Sequence, residues 1–162
     1  MSDEGKINVL FCCLGNICRS PMAEAVFAKM VKEQGLSNHF GVIDSCGTAD
    51  YHEGEEPDLR TVRVCKKHNV PVNHLARALQ PNDFTKFDYI FGMDSNNLKN
   101  IQRAQPKNSS TKVMLFSAFD DNSTIYDPYY IGDHAFDSVF EQCERYSRAF
   151  LAHLKLGPGA QL

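Results

Sequence analysis

Short apolar runs alternate along this chain with longer stretches whose apolar positions recur every three or four residues. "INVLFC" (Ile7–Cys12) is continuous and rich in branched and aromatic residues, the pattern of a strand covered on both faces. In the following "MAEAVFAKMVKEQG", Met22, Val26, Phe27 and Met30 fall on one helical face, and Gly35 is placed to end the helix. "FGVIDSCG" (Phe40–Gly47) predicts a second strand that ends in a turn, and after the polar "TADYHEGEEP" a helix is expected over Leu59–His68. "FDYIFGM" (Phe87–Met93) and "KVMLF" (Lys112–Phe116) predict two more buried strands, with "DSNNLKNIQR" between them as a short capped helix. A last long helix is predicted over Ala135–Lys155, with Phe136, Val139, Phe140, Cys143, Phe150 and Leu154 as its apolar stripe. Strands alternating with helices predict an α/β fold, a mostly parallel sheet with helices on both faces. In such folds ligands gather beyond the carboxyl ends of the strands, where a loop feeds a helix.

Composition narrows this further. At 162 residues the chain has the size of one domain, and with 43% hydrophobic residues it can build a core without metal or disulfide staples. The domain is expected over residues 1–157, with 158–162 as a loose tail. A net charge of −3 and the lack of any Lys/Arg block argue against nucleic acid or an anionic membrane as the main partner. A small anionic substrate stays open, because binding it depends on the local field of a pocket. The first apolar run is too short for a signal peptide or a membrane span. The six cysteines (Cys12, Cys13, Cys18, Cys46, Cys65, Cys143) form no CxxC or CxxH spacing, so the expectation is a cytoplasmic protein with reduced thiols. On that expectation the glycosylation patterns at Asn108 and Asn122 carry no meaning.

The chemistry concentrates in "CCLGNICRSP", Cys12 to Pro21, directly after the first strand. Between Cys13 and Arg19, "LGNIC" (Leu14, Gly15, Asn16, Ile17, Cys18) can wind tightly enough to turn successive backbone N–H groups toward one point, an anion nest at a helix N-terminus. Gly15 is expected to supply the unusual backbone angles, and Ser20 to cap a helix whose first turn holds Pro21. Arg19 offers a planar fork for two phosphate oxygens. The same positive field favours the thiolate of Cys13, and a Ser20 hydroxyl donating to that sulfur would hold it ionised and help it leave. Nucleophile, anion site and charge stabilisation in one loop suit phosphoryl transfer through a cysteinyl-phosphate. Such a reaction needs an acid for the leaving group. "YDPYYIGD" (Tyr126–Asp133) offers Asp127, stiffened by Pro128 and flanked by Tyr129 and Tyr130; taken alone, the segment reads equally as an ordinary Asp-Pro turn.

"VLFCCLGNICRSPMAEAVF" resembles the active-site segment of the low-molecular-weight protein tyrosine phosphatases, and "DPYY" resembles their acid loop; "FDYIFGMDSNNL" and "HNVPVNHLAR" extend the likeness over nearly the whole chain. The resemblance implies a single flavodoxin-like domain with a central four-stranded parallel sheet. It implies hydrolysis of phosphotyrosine and small aryl phosphates without metal or cofactor, by a monomer or weakly self-associating protein. By position it makes Cys13 the nucleophile, Arg19 the phosphate clamp and Asp127 the general acid and then base. Asn16, Ser20, Ser45 and His74 match the network that braces the loop, and Asp94 matches an acidic position beneath it. Tyr51 matches an aromatic on the pocket rim, and Cys18 a neighbour that traps an oxidised nucleophile as a reversible disulfide. Read from the residues alone, His74 is a satisfied core or surface histidine, Ser45 a turn residue, Asp94 a helix cap, Tyr51 an exposed loop tyrosine and Cys18 a small buried hydrophobe.

In one place the chain departs from the family pattern. Ile131 and Gly132 follow "DPYY" where the family usually has glycine first, so the acid loop is expected to bend one residue later. Two other functions fit parts of the sequence. An arsenate reductase would share the fold and the first loop but needs a downstream cysteine pair, whereas Cys46, Cys65 and Cys143 are scattered. A catalytically weak phosphotyrosine-binding module would have no use for Asp127.

Overall fold

The structure is a computed structural model that describes residues 5–157; the tail expected at 158–162 lies outside the described residues. Four parallel strands, β1 (Ile7–Cys13), β2 (Phe40–Gly47), β3 (Tyr89–Gly92) and β4 (Lys112–Leu115), form one sheet in the order β2-β1-β3-β4. Five α-helices connect or cover them: α1 (Arg19–Glu33), α2 (Leu59–Lys67), α3 (Asp83–Lys86), α4 (Ser95–Ala104) and α5 (Asp133–His153). β1 is central and its side chains divide between two cores. Val9, Phe11 and Cys13 face α1, α2 and α5, whereas Leu10 and Cys12 face α3 and α4 through Phe84 and Ile101. Strands buried on both faces must read as unbroken apolar runs, which is why "INVLFC" does not alternate. Phe11 anchors the larger core, with its ring centroid 4.8 Å from Phe116 and 5.7 Å from both Phe27 and Phe91.

The predicted strands and long helices are present, β2 with the expected bounds and the others with ends displaced by at most three residues. Three short elements had no legible signal: α3 and the 3-10 turns at Ser37–His39 and Phe116–Phe119. Ser20 departs from its expected role as a cap. The helix begins earlier, at Arg19, with Cys18 at its N-cap, and Ser20 lies inside its first turn with its hydroxyl committed elsewhere. Gly35 does end the helix, at φ 70° just beyond Gln34.

Candidate active site

β1 ends at Cys13, and the chain from Leu14 to Cys18 winds across the carboxyl end of the sheet before α1 begins. The left-handed backbone angle in this loop belongs to Asn16, at φ 60°, and not to Gly15. Gly15 is needed for space: a Cβ there would lie 2.8 Å from Cδ2 of His52, whose ring packs on the loop. Asn16 is one of the few residue types that enter the left-handed region without large penalty, and its side chain is fully committed. Its amide nitrogen donates to Ser20 Oγ (2.7 Å) and Ser45 Oγ (3.0 Å), and its oxygen accepts from His74 Nε2 (2.7 Å) and the Arg77 backbone N–H (3.0 Å). α2 braces the other side, where Asp58 N–H donates to Ile17 O (2.8 Å) and Thr61 Oγ1 to Cys18 O (3.2 Å). Among the described residues, the backbone N–H groups of Gly15 to Cys18 meet no acceptor in the protein, which leaves them available to an anion.

Cys13 Sγ lies 3.0 Å from Ser20 Oγ. Ser20 accepts from Asn16, so its own hydrogen is free to go to the sulfur or to Cys46 O (3.2 Å). The adjacent thiols are unsuited to the same task. Cys12 points to the opposite core, where a hydrogen bond with the Cys46 thiol (3.3 Å) and burial push its pKa well up. Burial likewise pushes up the Cys18 thiol. Cys46, Cys65 and Cys143 are buried and line no part of the cleft, so no exposed cysteine pair is available for a disulfide relay.

Arg19 is 3% exposed, with Nη1 donating to Asp94 Oδ2 (2.6 Å) and Ile125 O (2.9 Å). Burial works against its charge, but Cys13, Asp94 and Asp127 outweigh that and raise its pKa above the ordinary arginine range. Asp94 meets both readings of it: one oxygen caps α4 through Asn97 N–H (2.8 Å) while the other holds Arg19. Asp127 Oδ2 stands 3.8 Å from Arg19 Nη2, and Oδ1 accepts from Tyr129 N–H (3.1 Å). The loop bends at Gly132, at φ 138°, one residue beyond Ile131, so the branched residue is spared the left-handed angle. Asp127 stays within reach of the cleft.

The cleft has a volume of about 240 Å³. Its floor is Cys13, Leu14, Gly15, Ile17, Cys18 and Arg19, and its walls are Tyr51, His52, Asp127, Tyr129 and Tyr130. The side chains of Asn16 and Ser20 do not line it; they stand behind the loop with Ser45 and His74, where their polar atoms bond one another. Two contributors went unread in the sequence. His52 lies in a polar loop and pairs with Glu55 (3.1 Å). Arg60 donates to Tyr129 O (3.1 Å) and sits 5.3 Å from the Tyr129 ring centroid and 4.4 Å from that of Phe136, tying the acid loop to α2. Arginine near the start of a helix carries no local signal for either contact.

Behind the loop, His74 is flanked by Glu24, Asp44 and Arg77. Burial pushes the Glu24 carboxyl up to about 7 against a hydrogen bond from Ser45 (2.7 Å), and burial lowers the His74 pKa despite Asp44 beside it.

The sequence matches the family described as low molecular weight phosphotyrosine protein phosphatase over residues 8–157. A relative of that name from Schizosaccharomyces pombe is 51% identical over 148 residues, covering 90% of this chain and 95% of its own. The Homo sapiens relative of that name is 44% identical over 155 residues, covering 93% of this chain and 98% of its own. The crystal structure of a protein tyrosine phosphatase from Entamoeba histolytica superposes with a TM-score of 0.87 at 35% identity, covering 93% of this chain and 97% of that one. Likeness of this extent, in sequence and in backbone alike, places the chain in the low molecular weight phosphotyrosine protein phosphatase family.

Proposed function

We propose that the protein hydrolyses phosphotyrosine and small aryl phosphates through a cysteinyl-phosphate on Cys13. The observation that carries this is the convergence of Cys13, Arg19 and Asp127 on one cleft, over a loop whose side chains are braced from the other side and whose N–H groups are left free. The phosphate oxygens take the free N–H groups of Gly15 to Cys18 and the Arg19 guanidinium. Cys13 Sγ attacks phosphorus, the P–O bond to the aryl group breaks, and Asp127 gives its proton to the departing phenolate. Asp127 then takes a proton from water as that water attacks phosphorus. The P–S bond breaks, and the Ser20 hydroxyl, 3.0 Å away, donates to the sulfur as it regains its charge. Arg19 and the loop amides supply the positive charge in both steps, so activity is expected to persist with chelator present. Tyr51, Tyr129 and Tyr130 provide flat walls for an aromatic ring.

The reading extends to a cytoplasmic protein acting as a monomer or weak self-associate, with Cys18 able to capture a Cys13 oxidised to sulfenic acid as a disulfide that a thiol reductant reverses. No helix among the described residues is long and apolar enough to cross a membrane. The test is p-nitrophenyl phosphate turnover at mildly acidic pH with chelator, on wild type and Cys13→Ser. Turnover lost in the variant, with phosphate-analogue binding kept, supports the reading. Turnover that survives the substitution refutes it.

A further inference from the structure

Apolar side chains exposed singly are ordinary, but a cluster of them beside a binding cleft marks a surface that receives something. Leu14, Tyr51, Tyr129 and Tyr130 are exposed as parts of the cleft itself. Leu59 and Ile131 are 72% and 57% exposed and line no part of it. Their neighbours bring both to the same rim. Arg60, next to Leu59, donates to Tyr129 O at 3.1 Å, and Arg63 Nη1 stands 3.9 Å from Asp133 Oδ2. Ile131 lies midway between those two residues of the acid loop, and Leu59 shares a helical face with Arg63, four positions on. The start of α2 and the acid loop are thus held side by side, with an exposed leucine on one and an exposed isoleucine on the other. Tyr130, 92% exposed and with its ring centroid 4.7 Å from that of Tyr129, joins this shelf to the cleft wall. The cation between the two elements is already spent, since Arg60 donates to both oxygens of Asp58 as well as to Tyr129 O.

Given the phosphotyrosine reading of the cleft, we propose that Leu59 and Ile131 determine specificity, forming a shelf for an apolar side chain directly beside the phosphotyrosine of a protein substrate. A cleft of about 240 Å³ holds the phosphate and the ring, so the residues on either side of the phosphotyrosine must lie across its rim. Consecutive Cα atoms are about 3.8 Å apart, which sets a neighbouring side chain down next to the cleft mouth rather than far from it. On the acid-loop side it meets Tyr130, Ile131 and Leu59. An aliphatic neighbour would cover these side chains and be covered by them, whereas a polar one would lose water there without a free Arg60 donor in return. Glycine at 131 would leave this part of the rim bare.

The test compares kcat/KM for peptides that carry phosphotyrosine between leucines, between serines or between glutamates, with p-nitrophenyl phosphate alongside. The shelf predicts that the leucine peptide exceeds the serine peptide by about tenfold, the return from partly covering an aliphatic side chain. Leu59→Ser and Ile131→Ser should each cut that ratio by about threefold, and together they should abolish it. A ratio taken within one protein cancels any displacement of Asp127, which acts on all the peptides alike. Leu59→Ser should leave p-nitrophenyl phosphate turnover unchanged, because that substrate ends inside the cleft. The same ratios read as Kd on Cys13→Ser protein need no turnover. Wild-type protein that binds the peptides with the leucine preference yet hydrolyses nothing would therefore refute the phosphatase reading and support the shelf. Equal values for leucine and serine peptides, a preference for glutamate, or a leucine preference that both substitutions leave intact overturns the proposal.

Discussion

Asn16 shows how one residue can carry a loop. Its left-handed backbone costs about 1–2 kcal/mol for a side-chain-bearing residue, and its amide returns four hydrogen bonds of roughly 0.5–1.5 kcal/mol each. The bonds outweigh the angle. Asn16→Gly removes the strain together with the bonds, so it should destabilise the fold by about 2 kcal/mol in urea titration and depress turnover. A gain in stability would mean that the angle dominates. Asp127 is set apart by its partners rather than its position. It reaches Arg19 at 3.8 Å and is pinned by Tyr129 N–H, so its acid role can be separated from its charge. Asp127→Ala should slow turnover by about 10²–10⁴, more for phenyl phosphate than for p-nitrophenyl phosphate, because the poorer leaving group needs the proton. Equal losses on the two substrates, or full activity on phenyl phosphate, would remove Asp127 from the acid role.

At the scale of elements, the start of α2 does two things for the site. Asp58 accepts from Arg60 N–H (2.8 Å) as N-cap, and its carboxylate also takes the Arg60 side chain through Nε at 3.0 Å and Nη2 at 2.9 Å. The same Arg60 reaches Tyr129 O, so the cap, the loop carbonyl of Ile17 and the acid loop share one support. The Arg60 hydrogen bonds hold the Asp58 carboxyl below the usual carboxylate range. A depressed folded value means that the stabilisation is complete above the unfolded value of about 4 and is lost as pH falls from there through the lower folded value. Asp58→Asn should therefore lower stability at pH 7 by about 1 kcal/mol and flatten the loss of stability below pH 4. An unchanged acid limb in denaturation across that range would show that Asp58 contributes nothing there.

Across the whole molecule, the fold was readable because each strand is a contiguous apolar run, and the first loop because its chemistry lies within ten residues of one strand end. The remainder depends on crossovers. Ser45 reaches the loop only because β2 pairs with β1, while His74 arrives from beyond α2, so nothing local sets either apart from a turn or surface residue. Arg60 and His52 were missed for the same reason. Ser20 misled because its cap propensity is local, whereas its actual partners, the Cys13 sulfur and Asn16, are met only once β1 and α1 have docked. The central claim is that phosphate passes through Cys13. Turnover of p-nitrophenyl phosphate stopped within the first cycles by alkaline denaturant, followed by peptide mapping at alkaline pH to preserve the P–S bond, tests it most directly. The account predicts one phosphate on the peptide containing Cys13, absent in Cys13→Ser and more abundant when the second step is slowed by Asp127→Ala. Phosphate on any other residue, or undiminished labelling after Cys13→Ser, would contradict it.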